Sequence, residues 1–233
     1  MTVARLFTPR RRRGVELLDD PSVSPEIATR SMMDVERSNL VFGGLHAALE
    51  ELEPALAELP DRATLLDVGT GTGHIPAAAR ALAARRGLAL RTIGFDSSEP
   101  LLRSHRDRNA GVVRGDALRL PFGDRSVDIV MCSQVLHHFL EPDAERLIAE
   151  MNRVARARVV ISDLRRSWIG AGGLWVASFL LGFHSVSRHD GVVSVMRGFA
   201  PHELSALVMS ATGQRAKVNR HLGFRVTTSW KPK

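Results

Sequence analysis

The chain has one cysteine, Cys132, in 233 residues. No intramolecular disulfide can form, and a reducing, cytoplasmic setting is expected. Lysine is nearly as scarce, with Lys217, Lys231 and Lys233 the only three. Long apolar runs are missing too. Trp168 to Phe183 is strongly apolar but glycine-interrupted, and it falls short of the ~20 residues that a membrane span needs. It reads as a buried or substrate-lining helix. A basic run, Arg10 to Arg13, is followed by Gly14, Glu16 and Asp19-Asp20, not by the apolar stretch of ~7–15 residues of a secretory signal. No export signal is expected. Beyond the isolated stretch Arg188-His189-Asp190, carboxylates and histidines do not cluster at metal-ligand spacing, so no metal is expected.

The chain is 44% apolar and 24% charged, which suits one compact α/β domain over residues 1–233 and leaves no room for two large ones. The net charge is +7. From Arg165 onward, ten Lys or Arg face only Asp190 and Glu203, whereas the first 164 residues carry 22 basic against 23 acidic. This asymmetry fits a nucleic-acid face, a membrane surface or an acidic substrate, and equally a solvated surface in an arginine-rich chain.

Strand and helix patterns alternate along the middle of the chain. Apolar runs at Thr64–Val68, Leu90–Phe95, Gly111–Arg114, Val127–Cys132 and Ala157–Ser162 are separated by helical patterns at His74–Ala84, Glu99–Arg108 and Asp143–Val154. Five such strands predict a parallel, doubly wound sheet. Pro25 to Glu58 reads as helices broken at Gly43-Gly44, a helical cap within residues 1–60. Residues 61–163 are expected to form the core, followed by an insertion over 164–200. Within 201–233, an amphipathic helix over Pro201–Thr212 starts on a proline, and Gln214–Arg220 with Phe224–Trp230 predicts an antiparallel hairpin that closes the sheet.

Leu66-Asp67-Val68-Gly69-Thr70-Gly71-Thr72-Gly73 joins the first strand to a helix through a glycine-rich turn at the sheet's carboxyl edge, where doubly wound sheets bind ligands. The dinucleotide fingerprint would need glycine at 74 or 76, which are His74 and Pro76. Taken with Asp96, the turn Gly115-Asp116-Ala117 and the segment Asp128 to His138, this stretch resembles the class I S-adenosylmethionine (SAM) methyltransferases over Thr64 to Ser162. The resemblance implies a Rossmann-like fold and SAM as cofactor. It also implies contacts from Gly69, Gly71 and Gly73 to the methionine and ribose part, and from Asp96 with Ser97 to the ribose hydroxyls. Asp116 and Ala117 would meet the adenine, Asp67 the loop and the methionine ammonium, and Ser133 and Asn39 further parts of the cofactor.

The end of the fourth strand, Cys132-Ser133-Gln134-Val135-Leu136-His137-His138-Phe139, would face the transferring methyl. It lacks the Asn/Asp-Pro-Pro-aromatic segment of base-amino methyltransferases. The lysine of ribose methyltransferases is missing from the sheet region, and Cys132 lacks the Pro of cytosine C5 enzymes. The remaining resemblance is to the small-molecule branch, which includes the ubiquinone and menaquinone biosynthesis and the polyketide or phenol methyltransferases. It implies an oxygen or carbon of a small aromatic, quinone-like or polyketide acceptor. An RNA methyltransferase using the basic C-terminal third, or a non-catalytic SAM-binding protein, is the alternative; oligomeric state stays open. A phenolic acceptor needs its proton removed, and histidine can do this near neutral pH. His138, read at the start of the helix after the fourth strand, and His189, in the cluster Arg188-His189-Asp190-Gly191, are the candidates, with Asp163 at the fifth strand's end; the alternatives are a structural histidine for His138, a polar turn held by mutual salt bridges for the cluster and a helix cap for Asp163. Trp175 and Phe179, at helical spacing, would give the acceptor an apolar wall.

Overall fold

In the computed structural model, which describes residues 8–20, 22–104 and 106–233, Val127 to Cys132 is buried at every position. Only a central strand covered on both faces satisfies such a run. The strands are β1 (Arg62–Val68), β2 (Ala89–Asp96), β3 (Gly111–Arg114), β4 (Val127–Ser133), β5 (Ala155–Leu164), β6 (Val218–His221) and β7 (Arg225–Trp230). The helices are α1 (Pro25–Val41), α2 (Gly44–Ala57), α3 (His74–Ala84), α4 (Glu99–Ser104), α5 (Glu141–Val154), α6 (Trp168–Leu180), α7 (Ser185–Arg197) and α8 (Pro201–Thr212). The sheet order is β3-β2-β1-β4-β5-β7-β6. β1 to β5 run parallel, and β7 joins β5 antiparallel with β6 outside it. Order reverses between β1 and β4, which opens a crevice at the carboxyl edge.

Side chains alternate between the faces with period two. Leu66, Val130 and Ile161 pack with α5 and α8 through Leu147, Ile148, Met151, Leu204 and Val208. Leu65, Ile129, Met131 and Val160 pack with Leu52 and Leu56 of α2 and Ile75 and Ala79 of α3. Within the N-terminal helical segment, α2 is thus a layer of the core, and α1 lies across the crevice. The buried Asp128 is satisfied by the Thr64 N–H and hydroxyl, both at 2.8 Å, and by Arg156 at 2.8 Å.

Three local expectations change. The helix read over Glu99–Arg108 is α4 followed by a 3-10 turn at Arg106–Arg108; His105 lies outside the described residues. The apolar helix stops at Leu180, and Arg188 to Gly191, read as a polar turn or cluster, lies inside α7. Its start is held by Asp34, which accepts the His184 N–H at 2.8 Å and the Ser187 hydroxyl at 2.7 Å. His138 lies in a 3-10 turn, Leu136–His138, ahead of α5.

The β6–β7 turn docks on the α1–α2 junction through Gly223. Its φ is +70°, and a Cβ there would overlap the Phe42 carbonyl. Gly213 shares the left-handed backbone (φ +68°) but has nothing within 4 Å of its missing Cβ. We expect Gly213→Ala to cost ~1 kcal/mol from backbone strain alone and Gly223→Ala about 2–3 kcal/mol. Urea unfolding midpoints of the two variants check this; equal midpoints would mean that the turn is not seated on Phe42.

Candidate active site

The glycine-rich turn is shaped by what its backbone must do. Gly69, Gly71 and Gly73 have φ of +73°, +50° and +68°, the left-handed region that favours glycine. The N–H groups of Gly69 and Thr70 both donate to Phe95 O, at 2.7 and 3.0 Å, which folds the turn back over β2. A Cβ on Gly69 would strike Val135, whereas one on Gly71 would meet nothing within 4 Å. Beyond that open side lies a cavity of about 630 Å³, within the ~300–1,000 Å³ range of small-molecule sites.

The cavity wall brings together Asp67, Gly69, Gly71, Asp96, Ser97, Ser133 and Asn39. Asp96 accepts the Gly71 N–H at 3.0 Å and the Ser98 N–H at 2.9 Å, so it already braces the turn. Asp67 is 2% exposed, and its Oδ1 has no hydrogen-bond partner. Burial, with Asp96 adding in the same direction, pushes its pKa up to about 7. Gly73, Asp116 and Ala117 are not among the lining residues. Asp116 is exposed, and its Oδ1 accepts the Leu118 N–H at 2.9 Å.

Asn39 ties α1 to the floor. Its Oδ1 accepts from Gln134 Nε2 and, at 3.2 Å, from Arg225 Nη2. Its Nδ2 is therefore left to donate to His74 Nε2 at 3.2 Å, and the His74 proton stays on Nδ1, facing Thr72 Oγ1 at 2.9 Å. Burial pushes the His74 pKa down to about 4. Arg225, 2% exposed and lining the cavity, has Nε and Nη1 without partners. Burial lowers its pKa to about 10, with Asp163 opposing. Gln134, His74 and Arg225 carry no sequence motif that would have picked them out.

The acid–base groups are arranged differently from the expectation. Asp163 is fully buried and does not line the cavity; it stands behind His137, whose Nδ1 lies 2.7 Å from Asp163 Oδ1 and whose N–H donates to Oδ2 at 3.2 Å. Burial alone would raise Asp163, but the His137 ring and the Leu164 N–H hold its carboxyl below the usual range. His137 lines the cavity, 4% exposed, with Nε2 unpartnered. His138 also lines the cavity but is exposed. Crowding by the surrounding protein, the His137 ring and Arg197 pushes its pKa down to about 3. His189 is exposed outside the cavity wall, its Nδ1 2.8 Å from Asp190 Oδ1. Asp190 accepts the Leu17 and Leu18 N–H groups at 2.8 and 2.9 Å, so this cluster fastens an N-terminal strap. Trp175 and Phe179 are likewise half-exposed and outside the cavity wall; Leu174 of the same helix, with Phe183 and Phe224, is among the apolar side chains that line it.

The strap brings Glu16 onto the wall, where burial raises its carboxyl against the opposing His137, Ser194 and Arg197. Glu16, His137 and His138 have ligand-type atoms within 4.8 Å of one another, a grouping that sequence spacing could not reveal. Arg197 Nη1 contacts Glu16 at 3.0 Å and His138 Nδ1 at 3.4 Å, and a guanidinium there disfavours a metal cation.

A doubly wound sheet with its cavity at the switch point, beneath a three-glycine turn, is a nucleotide-type binding protein of the α/β class. A family model described as a methyltransferase domain matches residues 66–161. The demethylmenaquinone methyltransferase of Roseiflexus sp. is 38% identical over 131 residues, which cover 54% of this chain and 52% of that protein. The ubiquinone/menaquinone biosynthesis C-methyltransferase UbiE of Cupriavidus metallidurans is 30% identical over 168 residues, covering 66% of this chain and 67% of that protein. The chain thus spans about half the length of the first relative and two thirds of the second. Among solved structures, a SAM-dependent methyltransferase from Aquifex aeolicus superposes with a TM-score of 0.63 at 16% identity, covering 91% of this chain and 100% of that one. A SAM-dependent methyltransferase from Thermotoga maritima, described as a possible histamine N-methyltransferase, gives 0.60 at 20% identity, covering 89% and 99%. At such identities the two share the fold alone. The chain belongs to the class I SAM-dependent methyltransferases.

The wall fits a nucleoside sulfonium: the Gly71 side is open, and the orphaned Asp67 carboxylate sits where a cation can answer it. Because the folded pKa of Asp67 is raised from 3.8 to about 7, the native state holds the proton between those values, and stability falls as pH rises through that window. We expect Asp67→Asn to abolish this loss, making the ligand-free variant more stable than the parent at pH 8 by up to ~4 kcal/mol, while its SAM affinity drops about tenfold or more. Melting curves from pH 4 to 8 and calorimetry with SAM check both; parallel melting profiles would mean that Asp67 is ionised throughout.

Proposed function

We propose that this enzyme methylates an oxygen or carbon of a small phenolic, quinol-like or enolic acceptor, with His137 as the general base and Asp163 as the group that orients it. The observation that carries this reading is the buried Asp163–His137 pair beside the cavity. Asp163 accepts the proton on Nδ1, at 2.7 Å, so Nε2 keeps its lone pair, and that nitrogen has no other hydrogen-bond partner. A buried carboxylate held below its usual pKa stabilises the imidazolium that forms when Nε2 takes a proton. Removing a phenolic or enolic hydroxyl proton leaves charge shared between oxygen and the conjugated carbon, so one base serves methylation at either atom.

SAM, when bound, supplies an electrophilic methyl group, and much of the acceleration of such a displacement comes from holding the reactants in line. Asp67, Gly69, Gly71, Asp96, Ser97 and Ser133 are the residues that would hold it, with Asn39 steadying α1 above them. Leu174, Phe183 and Phe224 give the acceptor side of the cavity an apolar surface. The quinone-type substrates named for the Roseiflexus and Cupriavidus relatives support the same acceptor class.

A mass-spectrometric screen of phenols and quinols with SAM tests the reading; no methylated product from any of them would overturn it. With an acceptor in hand, His137→Ala should lower kcat by roughly 10²–10⁴ at unchanged SAM affinity, and Asp163→Asn should lower it by a smaller factor. His138→Ala and His189→Ala should retain activity in proportion to their folded fraction. A rate loss confined to His138→Ala would move the base to that residue.

A further inference from the structure

The exposed side of α6 is more apolar than its buried side. Trp168, Ile169, Trp175, Val176, Phe179 and Leu180 are 46% to 86% exposed, and with Gly172 they recur at the three- and four-residue spacing of one helix face. No polar side chain interrupts that face. The buried side is made of Gly170, Ala171 and Ser178; Gly170 lies against Phe224, and Ala171 packs with Val195 and Met196 of α7. Exposed apolar patches of this kind mark interaction surfaces.

The patch is framed by arginines. Arg12, exposed within the basic run Arg10–Arg13, stacks 4.8 Å from the Trp168 ring centroid, and Arg188 stacks 4.4 Å from that of Phe179. From Ser167 to His189 the chain carries Arg188 and no Asp or Glu. Tryptophans on an apolar face with cations at its border match a lipid headgroup boundary, where an apolar body and a wet polar end are satisfied together. At thirteen residues α6 is ~20 Å long, and no helix among the described residues is long and apolar enough to cross a membrane. It can lie in the boundary, not span it. A second copy of the chain is a poorer match, because each copy carries +7 overall and would set arginine against arginine around the patch.

We infer that the outer face of α6, with Arg12 and Arg188 at its border, docks this enzyme on an anionic lipid bilayer. The inner side of the same helix reaches the cavity through Gly170 and Leu174, so docking brings the cavity next to the membrane surface. The docking follows from the surface itself, whatever the acceptor is.

Co-sedimentation with vesicles of equal parts phosphatidylglycerol and phosphatidylcholine, and with phosphatidylcholine alone, tests the proposal on the full chain. Binding to the mixed vesicles, weakened by salt and accompanied by a blue shift of tryptophan emission, is expected; Trp230 is already buried, so the shift reports on the exposed indoles. The double variant Trp175→Ser, Leu180→Ser alters exposed side chains outside the cavity wall. It should keep the parent's melting temperature and its SAM affinity while losing at least ~tenfold in vesicle partitioning. Equal partitioning of parent and variant, or no binding of the parent to the mixed vesicles, overturns the proposal. So does a concentration-dependent dimer in sedimentation that the variant abolishes, which would make the patch a contact between copies.

Discussion

A carboxylate with no exposed surface at the end of β5 has to be answered by the protein, and around Asp163 the answer organises the acceptor side of the molecule. The carboxylate takes the His137 ring, the His137 N–H and the Leu164 N–H. An isolated buried carboxylate would neutralise or unfold its surroundings. Three donors from two neighbouring strand ends keep it ionised, and they fix the β4–α5 connection against β5. The 3-10 turn at Leu136–His138 exists in that position because its middle residue is tethered. Through the turn, the tether sets which histidine is oriented from behind and which stands at the rim.

The same logic extends outward through the N-terminal strap. Residues 9–20 have almost no regular structure of their own, and side chains and backbone of the 164–200 segment supply many of their hydrogen bonds. Arg166 donates to Pro9 O at 2.6 Å, Arg197 to Gly14 O, and Asp190 accepts from Leu17 and Leu18. The strap in turn delivers Glu16 to within 3.8 Å of both histidines. Segments almost two hundred positions apart in the chain thus build one wall. The strap depends on charged hydrogen bonds, with only Leu18 of its apolar side chains facing the cavity. Such a segment opens more readily than the sheet beneath it.

Legibility in the sequence followed the range of the forces. The five parallel strands and the glycine-rich turn could be read because burial on both faces, period-two alternation and left-handed backbone are local demands. The α6–α7 segment could not. Its first helix is apolar on every side, so periodicity says nothing about which face turns inward, and Trp175 and Phe179 went outward because Gly170, Ala171 and Ser178 pack closer. Its second helix contains Val186, Val192, Val193 and Val195 with Gly191, residues of weak helix preference; tertiary contacts with Asp34 and the strap hold it. His137 and His138 are equivalent in sequence. The partner that distinguishes them lies 26 positions downstream, and Glu16 is more than a hundred upstream.

The direction of pKa displacement distinguishes a satisfied surface pair from the groups that line the cavity. Arg153, bound by Glu150 and Asp124 at the protein surface, is pushed up by its hydrogen-bonded carboxylates, and Glu150 is pushed down by Arg153. That pair is satisfied by its own partners. Five cavity-lining groups go the other way, each toward its neutral form: Asp67 and Glu16 upward, His74, His138 and Arg225 downward. For Asp67, Glu16, His74 and Arg225 the largest cause is burial, so the protein has removed these groups from water without fully replacing it, whereas His138 stands at the exposed rim. An arrangement of that kind lowers the stability of the ligand-free fold and holds polar groups ready at fixed positions. Asp67 on the β1 side has an unanswered carboxylate oxygen, and Arg225 on the β7 side has unanswered N–H groups. Both residues line the same cavity, so an acceptor on one side and donors on the other are left without partners within the protein.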